Sequence, residues 1–305
     1  MIQERTFGIA IAAPGGFALD QAALEVGIAR LRAQGHVVHN YYDPEKKFQR
    51  FGGTDAGRLA QLNAAAADPD VQVVMALRGS YGISRILPQI DFDAMAASGK
   101  LFVGYSDFTA FHMGLMARTG RTSFAGPMIC DDFTRVEPDP FTLRQLADCL
   151  RGPRHVVTGV ATGNPTVDVE GTLWGGNLAM VAHLVGTAHF PTVSGGILVL
   201  EDVGEHPYRI ERMLYQLHFA GVLARQRAVL LGSFNGFEDS PNDNGYDLAA
   251  TIAHARARFG VPIYTGLPFG HCRDKLTLPF GGQAELAVSG GMARLRLSGY
   301  GIAPE

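Results

Sequence analysis

The sequence predicts an α/β protein: a parallel sheet flanked by helices, followed by a second, smaller α/β domain. Three observations predict it. Apolar runs of strand length alternate with segments of helical period through the first 150 residues. Gly, Ser, Thr and Asp, the residues that end strands and cap helices, sit between those segments. A chain of 305 residues is long enough for two domains.

The elements follow in order. Residues 7–13 read as a buried strand. Residues 20–34 read as a helix with Leu24, Ile28 and Leu31 on one face and Gly35 as its stop. A second strand spans 37–42, and a helix at 55–67 has Thr54 as its cap. A third strand at 71–77 leads through a turn into a short helical stretch near 83–87. Residues 101–105 form the next buried strand. Residues 107–118 form a helix with Phe108, Phe111, Leu115 and Met116 at helical spacing. A helix at 141–150 closes this half. Arg151-Gly152-Pro153-Arg154 is turn-rich, so the boundary is expected near 151–165, giving domains 1–155 and 156–305. The second half carries short strands within 156–169, then strands at 196–200, 228–231, 284–288 and 293–297. Helices are expected at 177–185, 208–219 and 248–259.

Composition excludes several classes. Hydrophobic residues make up 47% and charged residues 18%, which fits a folded globule and not a disordered chain. The net charge of −3 gives no bulk attraction to nucleic acid or anionic membrane. No apolar run approaches the ~20 residues that span a bilayer. The start of the chain lacks the features of a secretory signal. Cys130, Cys149 and Cys272 form no CxxC pair, and an odd, low count suits a reducing compartment. The cytoplasm is the expected location. GxGxxG, Walker, HExxH and EF-hand patterns are missing, so no metal or nucleotide cofactor is expected. Gly175-Gly176-Asn177-Leu178 opens a helix and could receive an anion, although close packing explains its glycines as well.

Ser106 stands at the joint between the strand at 101–105 and the helix that follows. A serine on a sharp strand-to-helix turn is lifted from the sheet, next to free backbone N–H groups that can stabilise a developing oxyanion. Gly104 leaves room for the turn, but the glycine usual two residues downstream is Phe108. Simple helix capping is the competing reading of Ser106.

A serine nucleophile needs a histidine, and the histidine needs a carboxylate. His271, in a Gly- and Pro-shaped loop after an expected strand at 262–265, has the best setting among the ten histidines. His112 is the rival, but it follows Ser106 by six residues and does not share its helix face. His183 reads as a core residue. Glu201 directly follows the strand at 196–200 and is the candidate acid. Glu201 or Asp202 could instead cap the helix that follows. The order Ser, acid, His is that of α/β-hydrolases. Gly79 in Arg78-Gly79-Ser80-Tyr81-Gly82 and the N–H of Asp107 are the candidate oxyanion donors. An ordinary glycine turn is the alternative for the former. Arg78 and Arg85 are the nearest cations for a substrate carboxylate, unless they serve as exposed ion-pair residues.

Taken together, these segments resemble the LD-carboxypeptidase family. The resemblance rests on Arg78-Gly79-Ser80-Tyr81-Gly82, Gly104-Tyr105-Ser106-Asp107, Gly171-Thr172-Leu173-Trp174-Gly175-Gly176-Asn177-Leu178, Leu200-Glu201-Asp202-Val203-Gly204-Glu205 and Gly266-Leu267-Pro268-Phe269-Gly270-His271, in order along most of the chain. It implies Ser106 as nucleophile, Glu201 as orienting acid and His271 as base. It also implies a glutamine-amidotransferase-like first domain and a swivelling second one. The implied enzyme uses no metal, is a homodimer in the bacterial cytoplasm, and removes D-alanine from an L-Ala–D-Glu–meso-diaminopimelate–D-Ala tetrapeptide. Two features depart from this pattern or widen it. Ser80 stands where the family commonly has a second glycine. The segment around Trp174 is also similar to the microcin-immunity branch, which cleaves peptidyl-aminoacyl adenylates. Arg78, Tyr81, Arg85 and Trp174 are therefore candidates for substrate contact. A non-catalytic muropeptide binder is the reading from outside the enzyme class.

Overall fold

The computed structural model describes residues 6–160, 163–238 and 240–301. The first half delivers β1 (Gly8–Ala12), α1 (Gln21–Ala33), β2 (Val37–Asn40), α2 (Asp55–Ala67), β3 (Val73–Ala76), α3 (Ile83–Ile86), α4 (Phe92–Ala97), β4 (Leu101–Gly104), α5 (Thr109–Thr119), β5 (Ser123–Ala125) and α6 (Pro140–Arg151). The second half delivers β6 (Arg154–Val160), β7 (Val167–Asn177), α7 (Leu178–Leu184), β8 (Gly196–Val203), α8 (Pro207–Phe219), β9 (Gln226–Asn235), α9 (Leu248–Arg258), β10 (Ile263–Tyr264), β11 (Leu278–Phe280), β12 (Gln283–Ser289) and β13 (Met292–Ser298).

Local chemistry sets the helix starts. The Asp20 carboxylate accepts the Ala23 N–H, and the Thr54 hydroxyl accepts the Gly57 N–H. Each such cap contributes about 1 kcal/mol. Gly35 ends α1 with φ 88°, in the left-handed region that glycine enters without a Cβ penalty.

Two sheets result. The first has the order β11-β5-β4-β3-β1-β2. Its strands β1 to β5 are parallel and nearly all apolar, as expected for a sheet covered on both faces. The second has the order β10-β9-β8-β7-β12-β13-β6, with β7 to β10 parallel and β6, β12 and β13 antiparallel. β11 lies far along the chain, yet it pairs antiparallel with β5 and completes the first sheet. That long-range return, α4 and β5 all escaped the reading of the sequence. Each is six residues or shorter, too short to set up a period.

α5 bridges the two halves, packing on α4 and β5 of the first and on α7 and β7 of the second. Gly176 makes the close approach possible. It has φ 127°, and a Cβ there would lie 2.4 Å from Thr109 Oγ1. Among the described residues no helix is long and apolar enough to cross a membrane.

Candidate active site

β4 ends at Gly104, and the chain turns abruptly. Ser106 has φ 61°, left-handed backbone that a non-glycine residue avoids at a cost of about 1–3 kcal/mol. The strain is the signature of a serine raised on an elbow. Gly104 is required beneath it, because a Cβ there would lie 2.8 Å from the Phe108 ring. β3 pairs with β4, so the loop after β3 meets the elbow. A Cβ on Gly79 would stand 2.7 Å from Ser106 Cβ, 2.8 Å from its Oγ and 3.4 Å from the Asp107 nitrogen. The backbone of Gly79 therefore lies directly against Ser106 and Asp107. Ser80 keeps φ 66°, the conformation a glycine would favour, and its hydroxyl accepts from Arg50 at 2.9 Å.

Asp107 is buried, and burial pushes its carboxyl up to about 7, against the lowering effect of its bond from the Ile83 N–H at 2.9 Å. That bond ties the elbow to the start of α3. Arg58, fully buried, donates to the carbonyls of Pro14 and Gly82 and holds the same loop from behind.

The acid and the histidine arrive from the second half. Glu201 is completely buried on β8. Its Oε2 lies 2.7 Å from His271 Nδ1 and accepts the His271 backbone N–H at 3.2 Å. A carboxylate only accepts, so Nδ1 carries the proton and Nε2 is the free, basic nitrogen. Burial pushes the His271 imidazolium down. The Glu201 hydrogen bond and charge, with the charge of Asp131, outweigh it, so the net pKa lies above the ordinary histidine value. The His271 ring sits 5.0 Å, centroid to centroid, from that of Tyr105, the residue before Ser106.

Asn177 registers the halves against each other. Its N–H donates to Thr109 Oγ1, three residues past Ser106. Its side chain donates to Glu201 at 3.3 Å and to Asp202 at 2.8 Å. Burial raises Asp202 to about 6, and its other oxygen accepts the Ala179 N–H, so it caps α7 and not the later helix. Asn177 was visible in the sequence only as part of a glycine-rich helix start, where it indeed caps α7 through Met180. Its bond to the acid carried no sequence signal.

Trp174, expected at the substrate, is buried in the core with its indole N–H on Gln226 at 2.9 Å. Arg85 is engaged with Asp55 at 3.2 Å and lies over the Phe51 ring. Tyr81 is exposed beside Phe51. Arg78 donates to the Phe17 carbonyl at 3.3 Å and borders a small cavity with Cys130 and Asp131. His112 is a core residue, bonded to Ser123 and to the Gly104 carbonyl. His183 is exposed, not buried as expected, because its face of α7 looks to solvent. Among the described residues no group of three or more His, Cys, Asp or Glu could hold a metal ion.

Comparison with known proteins identifies the family. The model of the LD-carboxypeptidase N-terminal domain matches residues 9–126, and that of the C-terminal domain matches residues 170–286. The murein tetrapeptide carboxypeptidase of Pseudomonas aeruginosa is 34% identical, over 91% of this chain and 92% of its own. The crystal structure of muramoyltetrapeptide carboxypeptidase from Oxalobacter formigenes is 49% identical, with a TM-score of 0.92, over 96% of this chain and 99% of that one. A structure of the microcin C7 self-immunity protein shares the fold at 22% identity and a TM-score of 0.86, over 98% and 97% of the two chains. Family models over both halves and close relatives along nearly the whole length leave one conclusion: the chain belongs to the LD-carboxypeptidase family, a family of peptidase hydrolases.

Proposed function

We propose that this chain is a metal-independent serine carboxypeptidase that hydrolyses an L,D-peptide bond and releases terminal D-alanine from murein tetrapeptides. The observation that carries the reading is the 2.7 Å Glu201–His271 bond, made beside the strained elbow that presents Ser106. The proposed reaction begins when His271 Nε2 takes the Ser106 proton and Oγ attacks the scissile carbonyl. Glu201 stabilises the imidazolium. The N–H groups of Gly79 and Asp107 receive the oxyanion. The imidazolium then protonates the leaving amine, and water, activated by the same nitrogen, hydrolyses the acyl-enzyme. Arg78 is the candidate for the substrate's terminal carboxylate, because Arg85 is held by Asp55. The proposal includes a homodimer working in the cytoplasm, with residues 1–155 carrying the nucleophile and 156–305 the acid and base.

The test is Ser106→Ala with two substrates side by side, a murein tetrapeptide and a peptidyl-aminoacyl adenylate. Wild type is expected to release D-alanine, and the variant to lose at least about 10⁴-fold in kcat while folding normally. Cleavage of the adenylate alone would move the chain to the microcin-immunity activity. Tight muropeptide binding without turnover by wild type would make it a binder.

A further inference from the structure

Lys275 is buried to 1% side-chain exposure and pairs at 2.7 Å with Asp132, itself 2% exposed. Its ammonium also donates to the Tyr105 hydroxyl at 3.1 Å and stands 4.2 Å from that ring's centroid. Tyr105 thus lies between two groups from the same loop, Lys275 and, 5.0 Å away, the His271 ring. We propose that Lys275, paired with Asp132, is a positioning residue: through Tyr105 it holds the Ser106 elbow and the His271 loop in one register. The inference rests on the serine-peptidase reading above.

The argument is geometric. Glu201 grips His271 by one edge, at Nδ1 and at the backbone N–H. A single side-chain bond leaves the imidazole free to pivot about it, so a second contact is needed to aim Nε2. Tyr105 supplies that contact, and its backbone leads directly into Ser106. The phenol is fixed in turn by Lys275. Lys275 has little freedom of its own. Its N–H donates to Thr142 Oγ1 at 3.0 Å, and the same hydroxyl donates to the Arg273 carbonyl at 3.0 Å, which fastens the loop to α6. Asp132 accepts the Met128 N–H at 2.9 Å. A buried ion pair adds little net stability over apolar residues of the same shape. Stability therefore does not account for a lysine placed here, whereas a fixed donor beneath the ring does.

The test uses Lys275→Met together with Asp132→Asn, which removes both charges and keeps an acceptor for Met128. Two quantities are read: kcat and KM for the tetrapeptide, and the rate at which a serine-directed fluorophosphonate labels Ser106. A folded double variant is expected to lose about 10²-fold in kcat and in labelling rate, with KM within about threefold of wild type. Wild-type kcat and labelling in that folded variant would overturn the inference, as would a loss confined to KM. Tyr105→Phe covers the case in which the double variant does not fold. It keeps the ring and removes only the hydroxyl, which accepts from Lys275 at 3.1 Å and donates to Asp131 at 3.5 Å, and a loss of about tenfold in kcat is expected. Unchanged kcat there also overturns the inference. Wild type that fails to label at Ser106 would defeat the serine-peptidase reading itself, whereas a labelled wild type with an equally reactive variant would defeat the positioning role alone.

Discussion

Gly270 has no side chain where Glu201 needs the space. A Cβ on Gly270 would lie 2.4 Å from Glu201 Oε2 and 2.6 Å from its Cβ and Cγ. The backbone there has φ 101°, which also disfavours any other residue. The carboxylate therefore reaches His271 only because its neighbour in the loop is glycine.

Gly270→Ala is accordingly expected to displace Glu201 from Nδ1 and to lower kcat by about 10²-fold or more, with a smaller effect on KM. Steady-state kinetics on the tetrapeptide, with circular dichroism to establish folding, checks it. Near-normal kcat would mean that the Glu201–His271 bond does not set the rate.

The pH dependence of activity follows from the same bond. In the proposed reaction His271 acts as a base and must be neutral, and its pKa lies above the ordinary histidine value of 6.5. The acidic limb of kcat/KM is therefore expected to fall off below a midpoint above about 6.5. Glu201→Gln removes the raising charge. The limb should move to lower pH while the rate drops by up to about 10⁴-fold, because the amide no longer enforces the productive tautomer. An unshifted limb in Glu201→Gln would assign the titration to another group.

Two buried groups predict opposite slopes of stability with pH. Burial lowers His112 to about 4, so between pH 4 and 6.5 the unfolded chain binds the extra proton. This contribution is full above about 6.5 and is lost as pH falls through 4, on the order of 3 kcal/mol in all. Asp107 is raised to about 7 by burial, so its contribution is full below the unfolded value of 3.8 and is lost as pH rises through 7. Urea melts from pH 4 to 8 separate the two. His112→Gln should lose less stability on acidification than wild type, and Asp107→Asn less on going from pH 4 to 8. Slopes parallel to wild type in both variants would exclude these groups as the source.

Much of the fold was legible because its signals are local. The cap at Thr54, the stop at Gly35 and the apolar face of α1 are all set within a turn or two of chain, whereas α5 is buried on every side over 109–115 and has no single apolar face. The elbow at Ser106 was legible for the same reason: a strand, a glycine, a serine and a helix start are adjacent in sequence. Trp174 was a candidate through its similarity to the microcin-immunity branch; β7 places the indole in the core, where Gln226 satisfies its nitrogen. His183 fails in the opposite sense, since apolar neighbours on a helix do not share its face.

What the sequence by itself determined was the α/β alternation, the place of the strained serine and the residues proposed to activate it. What only the tertiary structure decided was which of them meet. Glu201 and His271 are 70 residues apart, and Lys275 and Asp132 are 143 apart. Backbone preference and capping act over a few residues, so they are written locally. A buried charge demands a partner with equal force, but that demand does not name the partner; the crossing of β4, β8 and the His271 loop does.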